Sequence, residues 1–253
     1  MNEVTLYNWL IVMTLFLALV VFITLFFISA PYGRHARSGW GPAISDKLGW
    51  VVMESAAPMV FAACFIIGPR NSSVPAVVFL GMWELHYLHR AFIFPFSMHN
   101  DSNRMTLLVV GLGFLFNFLN AYLNGRYLFS LSGGFGLEWL DGPKFVIGAA
   151  LFVIGFIINR HADWTLRNLR CQGEVGYRIP SGGLYRWISC PNYCGEILIW
   201  TGWAIATWSL PGVVFAVWTA ANLVPRARSH QRWYHEHFPE YPANRKALVP
   251  LLW

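Results

Sequence analysis

The sequence predicts an all-α integral membrane protein, a seven-transmembrane helix bundle with its N-terminus outside and its C-terminus inside. Of its 253 residues, 56% are hydrophobic and only 12% are charged, against about 25% charged in an average soluble domain. The apolar residues form long segments of the length that crosses a bilayer, and the basic residues concentrate on one side of them. This composition argues against a soluble enzyme, a disordered chain and a nucleic-acid-binding domain.

Seven apolar segments account for the predicted spans. The first follows no basic n-region and is longer than the apolar core of a signal peptide, so we interpret it as a retained span. The last two are short and are separated by the helix-breaking sequence Ser209-Leu210-Pro211-Gly212; they could also form one bent element, which would reduce the count to six. The segments cover residues 7–29, 49–68, 75–96, 105–124, 144–159, 193–209 and 212–224, with polar connections at 30–48, 97–104, 125–143 and 160–192 and a tail from Arg226.

The basic residues predict the orientation. Lys and Arg together number 18, and with the N-terminus outside, all except Arg70, Arg126 and Lys144 lie in or near inner connections. Such residues collect on the cytoplasmic side of membrane proteins. Those from Arg90 onward are interleaved with amides and aromatic residues, and arginine suits bidentate phosphate recognition. Two interpretations therefore stay open at this point: orientation with attraction to anionic lipid, or cytoplasmic-side loops that bind a polyanionic cofactor.

Three glutamates and one arginine lie within the apolar segments: Glu54, Glu84, Arg90 and Glu196. Such residues are costly in lipid and are candidates for function. Glu84, Tyr87 and Arg90 follow an i, i+3, i+6 spacing along one helix face. A phenol there can donate a hydrogen bond while a nearby carboxyl holds its orientation, which would polarise a carbonyl. A structural role is an equal alternative for each glutamate, and Glu196 also suits the N-terminus of its helix.

Neither a metal site nor a standard nucleotide-binding loop is predicted. The eight histidines include no adjacent pair of the kind found in membrane di-iron oxygenases, and the four cysteines lack C-x-x-C spacing, so we interpret them mainly as free apolar thiols. The glycine-rich stretch at 132–136 is interpreted as a turn, because no Rossmann or Walker pattern surrounds it. Any nucleotide would be bound by helices and loops in a non-standard way.

Several motifs, spread over nearly the whole chain, together resemble one known family. In the N-terminal half they are Tyr32-Gly33-Arg34-His35, Trp50 with Glu54, and Leu85-His86-Tyr87-Leu88-His89-Arg90. In the C-terminal half they include Asn159-Arg160-His161-Ala162-Asp163, Gly173 to Pro180, Asn192-Tyr193-Cys194-Gly195-Glu196, Ala206 to Pro211, and Tyr241 to Pro250. This arrangement resembles the steroid 5α-reductase family (3-oxo-5α-steroid 4-dehydrogenases). Sterol carbon-14 reductases and enoyl-CoA reductases share parts of the C-terminal motifs, whereas the pair Glu54 and Tyr87 favours the 5α-reductases.

The resemblance implies an NADPH-dependent reduction of the carbon 4–carbon 5 double bond of a 3-oxo-Δ4-steroid to a 5α-steroid. Hydride would add at carbon 5 while Tyr87 and Glu54 hydrogen-bond the 3-keto oxygen and stabilise its developing charge; Glu54 can donate only if protonated. Trp50 and Met53 are further implied substrate contacts, and Met53 stands where the family has glutamine, which bears on substrate choice. The implied cofactor contacts are Tyr32, Arg90, Arg104, Asn159, Asp163, Arg170, Tyr177, Arg178, Asn192, Glu196, Arg226, His230 and Tyr234.

The resemblance also implies which half of the chain binds which ligand, and where the protein is located. Residues 1–124, with spans 1–4, would form the substrate-pocket half, and residues 125–253, with spans 5–7 and their loops, the NADPH-binding half. The expected partners are a steroid or sterol-like substrate and the lipid bilayer, with no nucleic acid and the chain as a monomer. The expected location is a bacterial inner membrane or the endoplasmic reticulum, with the cofactor site facing the cytoplasm.

Two alternative functions remain open. One is a related membrane reductase that acts on a sterol carbon-14 double bond or an enoyl thioester. The other is a lipid-binding or scaffolding protein whose arginines only set the topology.

Overall fold

The computed structural model describes residues 2–28, 39–98, 104–169 and 176–250. This part of the chain is mostly helical, which confirms the all-helical class. It forms α1 (Glu3–Phe27), α2 (Asp46–Ile67), α3 (Val74–Leu88), α4 (Leu107–Arg126), α5 (Pro143–Arg167), α6 (Pro191–Thr207) and α7 (Leu210–His237), with two short strands, β1 (Ala43–Ser45) and β2 (Arg104–Thr106). A π-helical turn continues α3 at His89–Ile93 and α4 at Tyr127–Leu131.

Within the described residues, four helices are long and apolar enough to cross a membrane: α1, α2, α4 with its π-helical turn, and α5. About 20 residues are needed, because a helix rises about 1.5 Å per residue. The helices α3 and α6 have 15 and 17 residues, and α7 becomes strongly basic after Pro225. Four such helices fit a membrane protein, while seven spans and the N-out orientation stay predictions.

Two helices continue past the apolar segments that predicted them. The helix α5 runs to Arg167, so the start of the predicted connection 160–192 is helical. The helix α7 runs to His237, so the predicted tail from Arg226 begins as helix. The helices extend beyond the predicted spans because an apolar run marks only the part of a helix that suits an apolar environment. A helix needs only its backbone hydrogen bonds and residues with adequate helix propensity.

The polar break between the last two segments separates two distinct helices. Trp208, between α6 and α7, has a left-handed backbone with φ 45°, which interrupts a right-handed helix. Pro211 lies in the first turn of α7, where its missing N–H removes no intrahelical bond. The structure thus decides between the two open readings of this region in favour of two helices rather than one bent element.

The residues group by proximity into two compact units. The first comprises residues 1–11, 31–146 and 207–211, and the second comprises residues 12–30, 147–206 and 212–253. The predicted boundary between residues 124 and 125 separates functions rather than packing units, and it stays a prediction.

In the first unit, α2 runs beside α4 in the same direction. The strands β1 and β2 pair antiparallel, with Ala43 opposite Thr106, and lead directly into these two helices. Glycines keep the helices close, because a Cβ on any of them would crowd the facing helix or its preceding strand. Gly49 faces Met105 and Val110, Gly113 faces Met53, and Gly125 faces Phe61 and Cys64.

In the second unit, α5 and α6 run antiparallel and touch through glycines. A Cβ on Gly155 would lie 2.6 Å from the carbonyl oxygen of Gly195, and a Cβ on Gly195 would lie 2.6 Å from the backbone nitrogen of Asn159. Close backbone approach of this kind is typical of helix contacts in membranes. It brings the polar C-terminal end of α5 against the N-terminal end of α6.

Candidate active site

The carboxyl of Glu54 is the central polar group of the first unit. Glu54 lies on α2 and is 8% exposed. The side-chain nitrogen of Asn117, on α4, donates to Oε2 at 3.2 Å and to the backbone carbonyl of Met53 at 2.9 Å. On the other side, Arg90 Nε lies 3.8 Å from Oε1. A buried carboxyl of this kind needs such partners, because leaving it unpaired in an apolar setting is costly.

Tyr87 faces the same stretch of α2 from α3. The two helices run antiparallel: Arg90 lies at Trp50 and Glu54, and the Trp83 indole donates to the carbonyl of Ala57 at 3.2 Å. Tyr87 lies between Arg90 and Trp83 along the chain, and its ring is 4.9 Å from that of Trp83. This register brings Tyr87 to the level of Glu54, with only 3% of its surface exposed.

Aromatic rings surround the guanidinium of Arg90. Its Cζ lies 4.7 Å from the centre of the Trp50 ring and 5.2 Å from that of Phe94, distances at which a cation is attracted to a ring face. Arg90 belongs to the π-helical turn after α3, a feature that often marks functional sites. Beside this group, Met53 packs into the space left open by Gly113 on α4.

A hydrogen-bonded network of amides and carboxyls joins α5 to α6 in the second unit. Asn159 is 2% exposed and donates to Glu196 Oε2 at 3.0 Å and to the backbone carbonyl of Asn192 at 2.9 Å. Asn192 in turn donates to Asp163 at 3.3 Å. The indole of Trp200 donates to the other oxygen of Glu196 at 3.0 Å.

Arg160 completes this network from α5. Its guanidinium donates to the side-chain oxygen of Asn159 and lies 3.6 Å from the carboxyl of Asp163. The two carboxyls of the network are therefore held by fixed donors.

A second polar group of this unit links α6 to α7 through Tyr193. Its hydroxyl is 3.0 Å from Nε2 of His230 and accepts a hydrogen bond from Arg226 at 3.3 Å. Arg226 also donates to Asn222 at 3.0 Å. Arg226 follows the apolar segment 212–224, and its burial lowers the pKa of the guanidinium to about 10. The group thus keeps its charge at neutral pH.

The C-terminal segment holds the loop that precedes α6. Arg245 donates to the backbone carbonyl of Pro180 at 3.1 Å, two residues after Arg178. Tyr234 is buried and stacks on Tyr241 with ring centres 5.0 Å apart, and Tyr177 contacts Trp233 edge-on at 4.9 Å. Arg178 itself is exposed. The arrangement anchors this loop against the end of α7.

The structure brings many of the predicted site residues into these groups. Asn159, Asp163, Asn192 and Glu196 share one network, and Arg226 and His230 share Tyr193. Arg104 lies on β2 of the first unit, where its guanidinium donates to the carbonyl of Ala43 at 2.8 Å. Tyr32 and Arg170 lie outside the described residues.

Sequence reasoning missed several residues that the structure connects to these groups, among them Asn117, Arg160 and Tyr193. Arg160 and Tyr193 lie inside motifs that resemble the family, so the motifs offered a signal. Asn117 is a neutral amide within an apolar segment, and a search for ionisable residues passes over it.

The two units contain different kinds of polar group. The first unit supplies a buried phenol near a held carboxyl, surrounded by aromatic side chains suited to an apolar substrate. The second supplies cationic and amide donors suited to phosphate and carboxamide groups.

The chain is similar over its whole length to known proteins. A family model described as 3-oxo-5-alpha-steroid 4-dehydrogenase matches residues 103–253. The chain is 37% identical over 256 residues to steroid 5-alpha-reductase DET2 of Gossypium hirsutum, covering 100% of this chain and 99% of that protein. It is 40% identical over 240 residues to 3-oxo-5-alpha-steroid 4-dehydrogenase 1 of Bos taurus, covering 93% of each. The corresponding protein of Rattus norvegicus is 38% identical over 254 residues, covering 100% of this chain and 97% of that protein.

Proposed function

The chain belongs to the 3-oxo-5-alpha-steroid 4-dehydrogenase family and is an oxidoreductase, and on that basis we propose that it reduces the carbon 4–carbon 5 double bond of a 3-oxo-Δ4-steroid to a 5α-steroid, with NADPH as reductant. The observation that carries the proposal beyond family membership is the buried carboxyl of Glu54, held by Asn117 and Arg90 at the level of Tyr87. Such a polar pair in an apolar helix contact suits a substrate with one reactive carbonyl.

In the proposed reaction the Tyr87 phenol donates a hydrogen bond to the 3-keto oxygen. Addition of hydride at carbon 5 moves negative charge onto that oxygen, so a donor fixed in advance stabilises the transition state more than the ground state. Both oxygens of Glu54 face donors, which favours an acceptor role. Glu54 would therefore orient the Tyr87 hydroxyl rather than donate to the ketone itself, and protonation of carbon 4 would complete the reduction.

Trp50 and Met53 would line the path of the apolar ring system. The Trp50 ring is held by Arg90 and by edge-to-face contact with Phe94 at 5.6 Å. Met53, whose thioether packs against Gly113, stands where the family has a glutamine, so we expect the difference to affect which steroid is preferred.

Oxidoreductases of this family imply a nicotinamide cofactor, which supplies the hydride when bound. The donor set of the second unit fits a phosphorylated dinucleotide: Arg226 is charged and held in place by Asn222 and Tyr193, which suits phosphate. The amides of Asn159 and Asn192, with Asp163 and Glu196, suit ribose hydroxyls and a carboxamide. We assign His230, Tyr234, Tyr177, Arg178, Arg170, Tyr32, Arg90 and Arg104 to the same function on the resemblance alone. A phosphorylated cofactor such as NADPH would benefit more from these cations than NADH.

We extend the proposal to topology: all seven helices cross the membrane, with the N-terminus outside and the arginines of the second unit facing the cytoplasm. Introduced cysteines at Asn2 and Glu240, each labelled in intact cells with a membrane-impermeant thiol reagent, test this. Labelling of the first and protection of the second are expected. The reverse pattern would contradict the orientation.

Product analysis tests the reaction directly. The purified protein would be incubated with testosterone, progesterone or a Δ4-cholestenone, each with NADPH and with NADH, and products identified by mass spectrometry with their stereochemistry at carbon 5. We expect 5α products, formed faster with NADPH. Failure with all three steroids, together with reduction of a sterol carbon-14 double bond or an enoyl thioester, would replace this proposal with the related reductase.

A further inference from the structure

We infer that Asn117 is a positioning residue for the reaction: it holds the carboxyl of Glu54 in the orientation from which that carboxyl orients Tyr87. This inference rests on the proposed function, because it assigns a role through Glu54. Asn117 is 6% exposed and lies within α4, a helix apolar enough to cross a membrane. A polar side chain in such a place is costly unless its hydrogen bonds are satisfied.

The hydrogen bonds of Asn117 have a defined geometry. One carboxamide nitrogen donates both of its hydrogens to α2, to the backbone carbonyl of Met53 at 2.9 Å and to Glu54 Oε2 at 3.2 Å. Both partners are acceptors, so the nitrogen, not the amide oxygen, must face them. The carbonyl of Met53 belongs to the backbone of α2, so this acceptor does not move when a side chain changes its rotamer. It therefore fixes the direction of the second hydrogen, which points at Glu54.

The helix packing fixes the distance over which Asn117 acts. Gly113 lies one turn before it and Gly125 two turns after it, and each faces a side chain of α2. A Cβ on Gly125 would lie 2.8 Å from the Cβ of Cys64. The short side chain of asparagine spans the gap between α4 and α2 because these glycines hold the backbones close.

The two carboxylate oxygens of Glu54 have different neighbours, so a rotation of the carboxyl would change which groups it contacts. Oε2 accepts from Asn117, and Oε1 lies 3.8 Å from Arg90 Nε. Without the amide donor, the carboxyl can rotate toward the guanidinium, which attracts either oxygen. Tyr87 would then lose the fixed acceptor that directs its hydroxyl at the 3-keto oxygen.

Two substitutions at this site test the inference, with a matched control. Asn117→Leu has a similar shape but no donor, and Asn117→Asp keeps the size but replaces the amide nitrogen with an oxygen. The control is Asn124→Leu on the same helix, a buried residue whose amide donates to Asn120. We expect kcat to fall about 10- to 100-fold in both Asn117 variants, as for the loss of one hydrogen bond to a charged group, with the KM for NADPH unchanged. The control should stay within about twofold.

The Asn117→Asp variant adds a further measurement, the pH dependence of its activity. A purely structural role of Asn117 would leave this pH dependence unchanged. At neutral pH the new carboxylate would face Glu54, and Arg90 is the cation beside them. At lower pH a proton shared by the two carboxyls restores a donor between them. We therefore expect the activity of this variant, relative to wild type, to rise as the pH falls. A constant ratio across the pH range would count against the inference.

A double-mutant cycle separates this inference from the proposed function. If Asn117 acts through Glu54, Asn117→Leu should lower kcat in the wild type but change it little when Glu54→Gln is already present. A multiplied loss, or a normal kcat in Asn117→Leu alone, would overturn the role of Asn117 while leaving that of Glu54. A normal kcat in Glu54→Gln alone would overturn the proposed role of Glu54 and the inference with it. Stabilisation by NADPH checks that each variant is folded.

Discussion

The buried side chains of Asn117 and Glu54 have protein groups as hydrogen-bond partners in place of bulk water. Glu54, Tyr87 and Asn117 are each less than a tenth exposed. At this scale, one donor or acceptor decides where a neighbouring group points, since a mispaired group in an apolar setting carries its full desolvation cost. Predictions about catalysis therefore belong to single residues.

Tyr87→Phe removes the proposed donor to the 3-keto oxygen while keeping the ring that packs on Trp83. We expect kcat to fall about 10²- to 10³-fold, the range for loss of one oxyanion donor, as measured by initial rates with saturating NADPH. The control is Tyr7→Phe, because Tyr7 is also buried and donates to the carbonyl of Leu123 at 2.8 Å. That variant should lose stability but keep its turnover. If Tyr87→Phe keeps the same normal turnover as Tyr7→Phe, Tyr87 does not take part in the reaction.

Arg226→Met removes the guanidinium held by Asn222 and Tyr193 while keeping much of the side-chain length. We expect the KM for NADPH to rise at least about tenfold, because a charge-assisted bond to phosphate is lost, with a smaller change in kcat. Arg228→Met is the matched control: Arg228 lies on the same helix and its guanidinium faces the ring of Phe26. An unchanged KM in Arg226→Met would exclude Arg226 from the cofactor site.

At the scale of elements, glycines decide how closely the helices pack and so which polar groups meet. The contact of α5 with α6 brings Asn159 to Glu196 and Asn192, and the contact of α2 with α4 brings Asn117 to Glu54. In both cases a small residue lies within about one turn of the polar pair. Short side chains such as Asn can then bridge two backbones.

Gly195→Ala tests this at the α5–α6 contact. The added Cβ would lie 2.6 Å from the backbone nitrogen of Asn159, and backbone atoms cannot move aside as a flexible side chain can. We expect destabilisation of about 1–3 kcal/mol, seen as a lower Tm, and weaker NADPH binding. Gly111→Ala is the control, because its added Cβ meets nothing within 4 Å and alanine favours the helix. Equal Tm values for the two variants would contradict close packing at Gly195.

At the scale of the whole molecule, most of the arginines of an apolar protein are concentrated in one part of the sequence. We therefore expect the folded protein to bind the phosphates of a dinucleotide. A ligand that binds only the folded state raises stability by an amount set by its concentration relative to Kd, about 2.7 kcal/mol at 100 times Kd. A scaffold protein whose arginines only set topology would gain nothing.

The Tm of the purified protein should therefore rise steadily with added NADPH, and less with NADH at equal concentration. Salt at matched ionic strength is the control for non-specific screening of the arginines. No shift with NADPH would favour the scaffold alternative, even with a steroid present.

The sequence by itself determined the helical class of the molecule and supplied candidate residues for its site. Apolar segments predict helices because lipid leaves the backbone no other hydrogen-bond partner, and a Glu inside such a segment is conspicuous because burying a charge is costly. Glu54 and Glu196 could be chosen on that ground, and the family motifs singled out Tyr87, Asn159 and Arg226.

Only the tertiary structure decided which side chains meet. Asn117 has no charge to mark it in the sequence, and its inferred role comes from a partner 63 residues away. Tyr193 likewise gains its position from Arg226 and His230 on another helix. The ends of α5 and α7 also lay beyond prediction, because helix continues where the apolar pattern stops. The pattern of apolar and polar residues in the sequence indicates the environment of each residue. A site depends instead on the register between helices, and that register is set by glycine contacts and by turns such as the one at Trp208.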